Sequence, residues 1–173
     1  MRCTDDEIIH QNNKGMNITL NVSMAEVLRQ VAQSSAYIGA KRQEQPKAED
    51  PEALDRIGTI DEDRSELECF FGEARVELVN LIDGAVVNEG FVVDNEPDHY
   101  VLELKVPDDF NSALLPVYEP GLTSYFVNSL LAMWLVYTHD GSAQLYGTAA
   151  AAQAEKLHSL TIKRATTRKM YPW

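Results

Sequence analysis

Positive charge is scarce in this chain. Fifteen Lys and Arg stand against 27 Asp and Glu in 173 residues, a formal net charge of −12. A free-standing nucleic-acid binder needs basic patches that release phosphate counterions, so that class is disfavoured. Cysteine is scarce too. Cys3 and Cys69 do not make a disulfide framework, and free thiols in a reducing compartment are expected. No apolar run reaches the ~20 residues that cross a bilayer, so no membrane contact is expected. The first fifteen residues, M-R-C-T-D-D-E-I-I-H-Q-N-N-K-G, lack the apolar segment of a secretory signal and read as a disordered leader.

Chemical motifs are missing as well. No two of His10, His99, His139 and His158 stand at the H-x-x-x-H spacing of a metal pair, and His139-Asp140 reads as a helix end. Neither cysteine has a neighbour that marks a nucleophile. No G-x-x-x-x-G-K-S/T or G-x-G-x-x-G occurs, so no nucleotide site is expected. Glu62 with Glu66, and Glu73 with Glu77, are four apart and read as a solvated acidic face. A di-metal carboxylate bundle needs Glu-x-x-His motifs on facing helices, and residues 63–82 hold no histidine. Asp61 and Asp63 imitate two positions of a calcium loop, but Phe71 and Gly72 stand where its terminal acid belongs. No cofactor, metal or catalytic residue is expected.

What is present is pattern. Residues 122–138, L-T-S-Y-F-V-N-S-L-L-A-M-W-L-V-Y-T, hold few polar residues. A helix apolar on nearly every side is buried on nearly every side, so this is the expected central helix. Its aromatics, Tyr125, Phe126, Trp134 and Tyr137, stand at helical spacing and read as core.

The other elements follow in order. Ile18, Leu20 and Val22 alternate with Asn17, Thr19 and Asn21, the period of a half-buried strand. Ser23 and Glu26 form a capping box that opens a helix over 24–38, with Gly39 as its end. Residues 41–63, acidic and holding two prolines, read as a mobile loop anchored by Leu54, Ile57 and Ile60. A helix over 63–82 shows Leu67, Phe70, Phe71, Ala74, Leu78, Leu81 and Ile82 at three- and four-residue spacing, and Asp61, Glu62 and Asp63 suit its dipole. Strands over 85–93 and 99–106 flank Asn95-Glu96-Pro97-Asp98 as a β-hairpin.

Residues 108–120 read as an irregular crossing over Phe110, Leu114, Leu115 and Tyr118. The central helix then starts after Pro120-Gly121 and ends at Gly141. Ser142 caps a last helix over 143–163, whose inner face is Tyr146, Ala149, Ala150, Gln153, Leu157 and Leu160. The expected fold is mostly α: a four-helix bundle-like domain over 16–163, a β-hairpin between its second and third helices, and an extended tail over 164–173.

Charge is segregated along this layout. Residues 1–120 carry −15 and residues 121–173 carry +3. The acidic part and the basic end attract each other within a subunit or between subunits. Asp61, Glu62 and Asp63 are candidate partner-binding residues on one side. Arg164, Arg168, Lys169, Met170, Tyr171 and Trp173 are candidates on the other.

Y-I-G-A-K at 37–41, D-E-D-R-S at 61–65, the hairpin at 85–106 and the helical pair at 122–163 together resemble the head–tail connector (adaptor or head-completion) proteins of tailed bacteriophages. The strand at 16–22 departs from the usual pattern of that family. The resemblance implies a ring of about a dozen copies, set between the portal protein and tail-side or neck proteins. It implies a place in the virion neck after assembly in the host cytoplasm, DNA only as cargo in the channel, and no catalysis. A negative lumen repels phosphates and lets DNA slide. Two rivals remain: an acidic regulator that mimics DNA charge and binds a basic nucleic-acid enzyme, and a small enzyme without a recognisable motif.

Overall fold

The computed structural model describes residues 15–43, 57–59, 61–92, 99–138 and 140–162. Alternation at the start of the described chain forms β1 (Met16–Ser23), whose Ile18, Leu20 and Val22 are buried. The Ser23 hydroxyl accepts the Glu26 backbone N–H at 3.3 Å, which starts α1 (Met24–Gln43). The reciprocal arm of the capping box is missing, because the Glu26 carboxylate accepts from Arg29 and Gln30 instead.

Helix α1 does not stop at Gly39. It runs on to Gln43, with Gly39 buried inside it. Ala40, Lys41, Arg42 and Gln43 are good helix formers, and two cations suit the negative end of the dipole. Of the loop expected over 41–63, the described part is a helix end, residues 57–59 and a 3₁₀ turn, Asp61–Asp63. Leu54 and Ile60 lie outside the described residues. Ile57 is an anchor as expected: it is buried, and its carbonyl accepts the Trp134 indole N–H at 2.7 Å.

Helix α2 (Arg64–Leu81) buries Leu67, Phe71, Ala74 and Leu78, with Ile82 buried at its cap. Leu81, expected inside, is 43 % exposed. Gly84 takes φ 80°, the left-handed turn that releases the chain into β2 (Val86–Val92). β2 pairs antiparallel with β3 (His99–Val106), as a hairpin requires, with a register shift between Val86 and Asn88. β1 pairs with the other edge of β3, which makes a three-stranded antiparallel sheet of order β1-β3-β2. Ile18 faces Leu104, Leu20 faces Leu102 and Val22 faces Tyr100, so β1 and β3 share one continuous apolar face.

The crossing after β3 is less irregular than expected. Asn111 accepts the Ala113 N–H at 3.0 Å and opens a 3₁₀ turn, Ser112–Leu114, that leads directly into α3 (Leu115–Tyr137). The helix therefore starts ahead of Pro120-Gly121 and passes through both. Pro116 lies in the first turn, where a missing N–H costs nothing. Pro120 comes one turn later on an exposed face, so its ring meets solvent rather than core.

Helix α3 is the centre of the molecule, packing on α1, α2, β1 and α4 (Ala143–Thr161). Leu122, Tyr125, Phe126, Val127, Ser129, Leu130, Leu131, Trp134 and Leu135 are all buried. Gly141 is not in the left-handed conformation. The Thr138 N–H closes the helix on the Trp134 carbonyl at 2.9 Å, and the Asp140 N–H bonds the Leu135 carbonyl at 2.7 Å. Ser142 precedes α4 without a side-chain cap bond. On α4 the buried residues are Ala150, Ala154, Leu157 and Leu160, while Tyr146, Ala149 and Gln153 lie at the margin. The described chain is thus mostly helical, with four α-helices and a small antiparallel sheet. None of its helices is long and apolar enough to cross a membrane.

Candidate functional site

An aromatic cluster stiffens the junction of α2, α3 and the sheet. Phe71 stacks on Phe126 with centroids 4.2 Å apart, and Tyr100 meets both rings edge-on at 5.9 and 5.6 Å. Tyr125, beside Phe126, donates its hydroxyl to the Ala74 carbonyl at 2.8 Å. Burial pushes the Tyr125 hydroxyl up to about 12; Ser129 works against that shift and Glu77 adds to it.

Above Tyr125 opens a groove of about 300 Å³. Leu78 and Leu81 of α2 and Met133 of α3 form its apolar walls, and Ala132, Gly147 and Ala151 form its floor. The floor is made of small side chains because α3 and α4 run close together there: a Cβ on Gly147 would stand 3.9 Å from that of Ala132. Glu77, Tyr125 and Ser129 add polar atoms to the lining. Val136, one turn on from Ala132 and 64 % exposed, continues the apolar face.

Two part-buried polar clusters lie elsewhere. Asp140, in the turn between α3 and α4, accepts Arg42 Nε at 3.1 Å and Arg42 Nη2 at 3.2 Å. It also accepts the Ser142 N–H at 2.7 Å and the Ser142 hydroxyl. Burial alone would raise the Asp140 carboxyl. The Ser142 hydroxyl and N–H and the Arg42 guanidinium together outweigh it and hold the group below its usual range. A carboxylate so committed is a poor base, and the cluster is a clasp that ties the end of α1 to the α3–α4 turn.

The second cluster joins α2 to the sheet. Arg75 Nε stands 3.6 Å from Glu89 Oε2, and neither atom has a hydrogen-bond partner. Glu89 lies opposite Leu102, which puts a carboxylate on the inner face of an edge strand. The Tyr100 hydroxyl is buried and unpartnered. Burial first, and then the Glu89 charge, pushes it well above the usual phenol range.

Of the candidate residues read from the sequence, Asp61 and Glu62 are exposed on the 3₁₀ turn, and Asp63 is half-buried there. They sit at the start of α2. Glu77 follows Asp63 by about 21 Å of helix, so the acidic triplet is not part of the groove. Arg164, Arg168, Lys169, Met170, Tyr171 and Trp173 lie outside the described residues, as do Cys3, His10 and His139. Cys69 is exposed. Sequence reasoning passed over three Glu-x-x-His spacings, Glu7 with His10, Glu96 with His99 and Glu155 with His158; the last, the one with both residues described, stands on α4. Among the described residues, however, no three His, Cys, Asp or Glu gather as a metal site. Sequence reasoning also missed the groove and both polar clusters. The single signal for the groove in the sequence is the run of four alanines at 149–152, whose small side chains allow close approach of α3 and α4.

No family model matches the chain, and comparisons with curated proteins and with solved structures gave no match.

Proposed function

We propose that this protein is a non-catalytic assembly subunit of the tailed-bacteriophage head–tail connector kind. The observation that carries the reading is how the polar residues are used. The part-buried ion pairs between elements among the described residues, Arg42 with Asp140 and Arg75 with Glu89, join one element to another. What faces outward is an acidic helix start and an apolar groove. Such a division suits a body that contacts other proteins better than a chamber that reacts with a substrate.

In this reading the four helices form a bundle-like body with α3 at its centre. About a dozen copies close head to tail into a ring. The basic segment 163–173 of one subunit meets Asp61, Glu62 and Asp63 of the next subunit or of a neighbouring ring, with Tyr171 and Trp173 as anchors. The excess of acid keeps the channel from gripping DNA.

Mass photometry of the purified protein, alone and with a portal ring, tests the proposal. The expected result is a discrete ring, or a stoichiometric layer added to the portal. A monomer in both conditions refutes it. Salt-sensitive binding to a basic nucleic-acid enzyme by that monomer would instead favour the DNA-mimicking regulator.

A further inference from the structure

We propose that the groove between α2, α3 and α4 is the seat of the chain's own residues 170–173, Met-Tyr-Pro-Trp, folded back in the unassembled protein. The inference concerns the free subunit and stands whether or not the connector reading does. The groove asks for an apolar occupant. Leu81 exposes apolar surface in its wall, and about 300 Å³ lies open between Leu78, Met133 and the small side chains of α4. That volume is at the lower end of what an organic group fills. Tyr and Trp suit such a seat, since each buries a flat apolar ring and keeps a polar edge for a rim group.

Length permits the return. Eleven residues follow Ile162 in the sequence, which span about 36 Å when extended. Gly147, at the far end of the groove, is about 22 Å back along α4. Ile162 leaves the helix in extended geometry already, with φ −93° and ψ 124°. A tether this short holds its end near the groove at roughly millimolar effective concentration, well above that of a second copy in dilute solution.

Charge points the same way. Glu77 lines the groove, and Glu155 stands one helical turn from Ala151. Arg168 and Lys169 immediately precede the apolar tetrad, so they meet this acidic rim as the rings enter. In an assembling protein the same seat would hold Tyr171 and Trp173 back until a partner competes for them.

The chain has two tryptophans, Trp134 and Trp173, so Trp134→Phe leaves Trp173 as the sole indole emitter. Acrylamide quenching of this full-length variant should be several-fold weaker than that of a free tryptophan side chain. The protection should be lost when Ala151→Arg is added at the exposed floor of the groove, and it should not change on dilution. Quenching equal to free tryptophan overturns the proposal. So does protection that survives Ala151→Arg, which would place the segment elsewhere, or protection lost on dilution, which would make the occupant a second copy. Should Trp134→Phe fail to fold, nuclear Overhauser contacts between the Trp173 ring and the Met133 methyl in the unaltered chain decide the matter. Their presence at low concentration supports the seat, and their absence refutes it.

Discussion

Trp134 joins two parts of the fold that nothing local connects, so replacing it gives the sharpest test of the core. Its ring is 3 % exposed, stacks 5.7 Å from Tyr137, and donates its indole N–H to the Ile57 carbonyl at 2.7 Å. Trp134→Ala removes the ring and leaves a cavity, and it should cost about 3–5 kcal/mol. Trp134→Phe keeps most of the packing but orphans the buried Ile57 carbonyl, which should cost about 1–3 kcal/mol. Urea denaturation followed by far-ultraviolet circular dichroism reads both values from the midpoint at unchanged slope. The Phe variant carries a second signature. The Thr59 N–H donates to Ser35 Oγ at 3.1 Å in the same short segment, so its hydrogen exchange should speed up in Trp134→Phe. A Phe variant within ~0.5 kcal/mol of the parent, with Thr59 equally protected, would mean that the indole does not anchor residues 57–59.

Three further outcomes are expected. Asp140 is held below its usual carboxyl range, so it contributes stability that is complete above the unfolded value, near 3.8, and is lost as pH falls through its folded value. Asp140→Asn should therefore lower stability at neutral pH and flatten the acid limb of the pH–stability curve; an unchanged acid limb would refute the clasp. Tyr125 is raised from 10.0 to about 12, so its contribution is full below pH 10 and lost as pH rises through 12. Alkaline unfolding curves should show that loss, and Tyr125→Phe should remove part of it. Arg75→Met with Glu89→Leu should be neutral or stabilising in denaturant, since a half-buried pair at 3.6 Å recovers little of its desolvation cost. Light scattering should nonetheless show more association, because an inward carboxylate no longer guards the β2 edge.

How much of this could be read in the chain depends on the range of each interaction. Alternation at Ile18, Leu20 and Val22, the stripe of Leu67, Phe71, Ala74 and Leu78, and the nearly unbroken apolar face of α3 are local periodicities. They identified the elements and their inner faces, and they marked Trp134 as core. Terminators were read less well. Asp83-Gly84 reads as a helix end and is one, with Gly84 at φ 80°, whereas Gly39 and Gly141 look like helix ends too but do not take positive φ. Pro120 looks like a start, yet a helix already under way from Leu115 carries it on an exposed face.

The sequence by itself determined which residues avoid water, since burial follows from side-chain chemistry repeated at the period of a helix or strand. It also determined the separation of an acidic part from a basic end. Only the tertiary structure decided which elements meet. It seated β1 on β3 and brought Arg42 to Asp140, 98 residues away. It set Glu89 on an inner face and left a groove where α2 stands off from α3 and α4. These features arise where separate elements come together, and periodicity within one element carries no information about its distance from another.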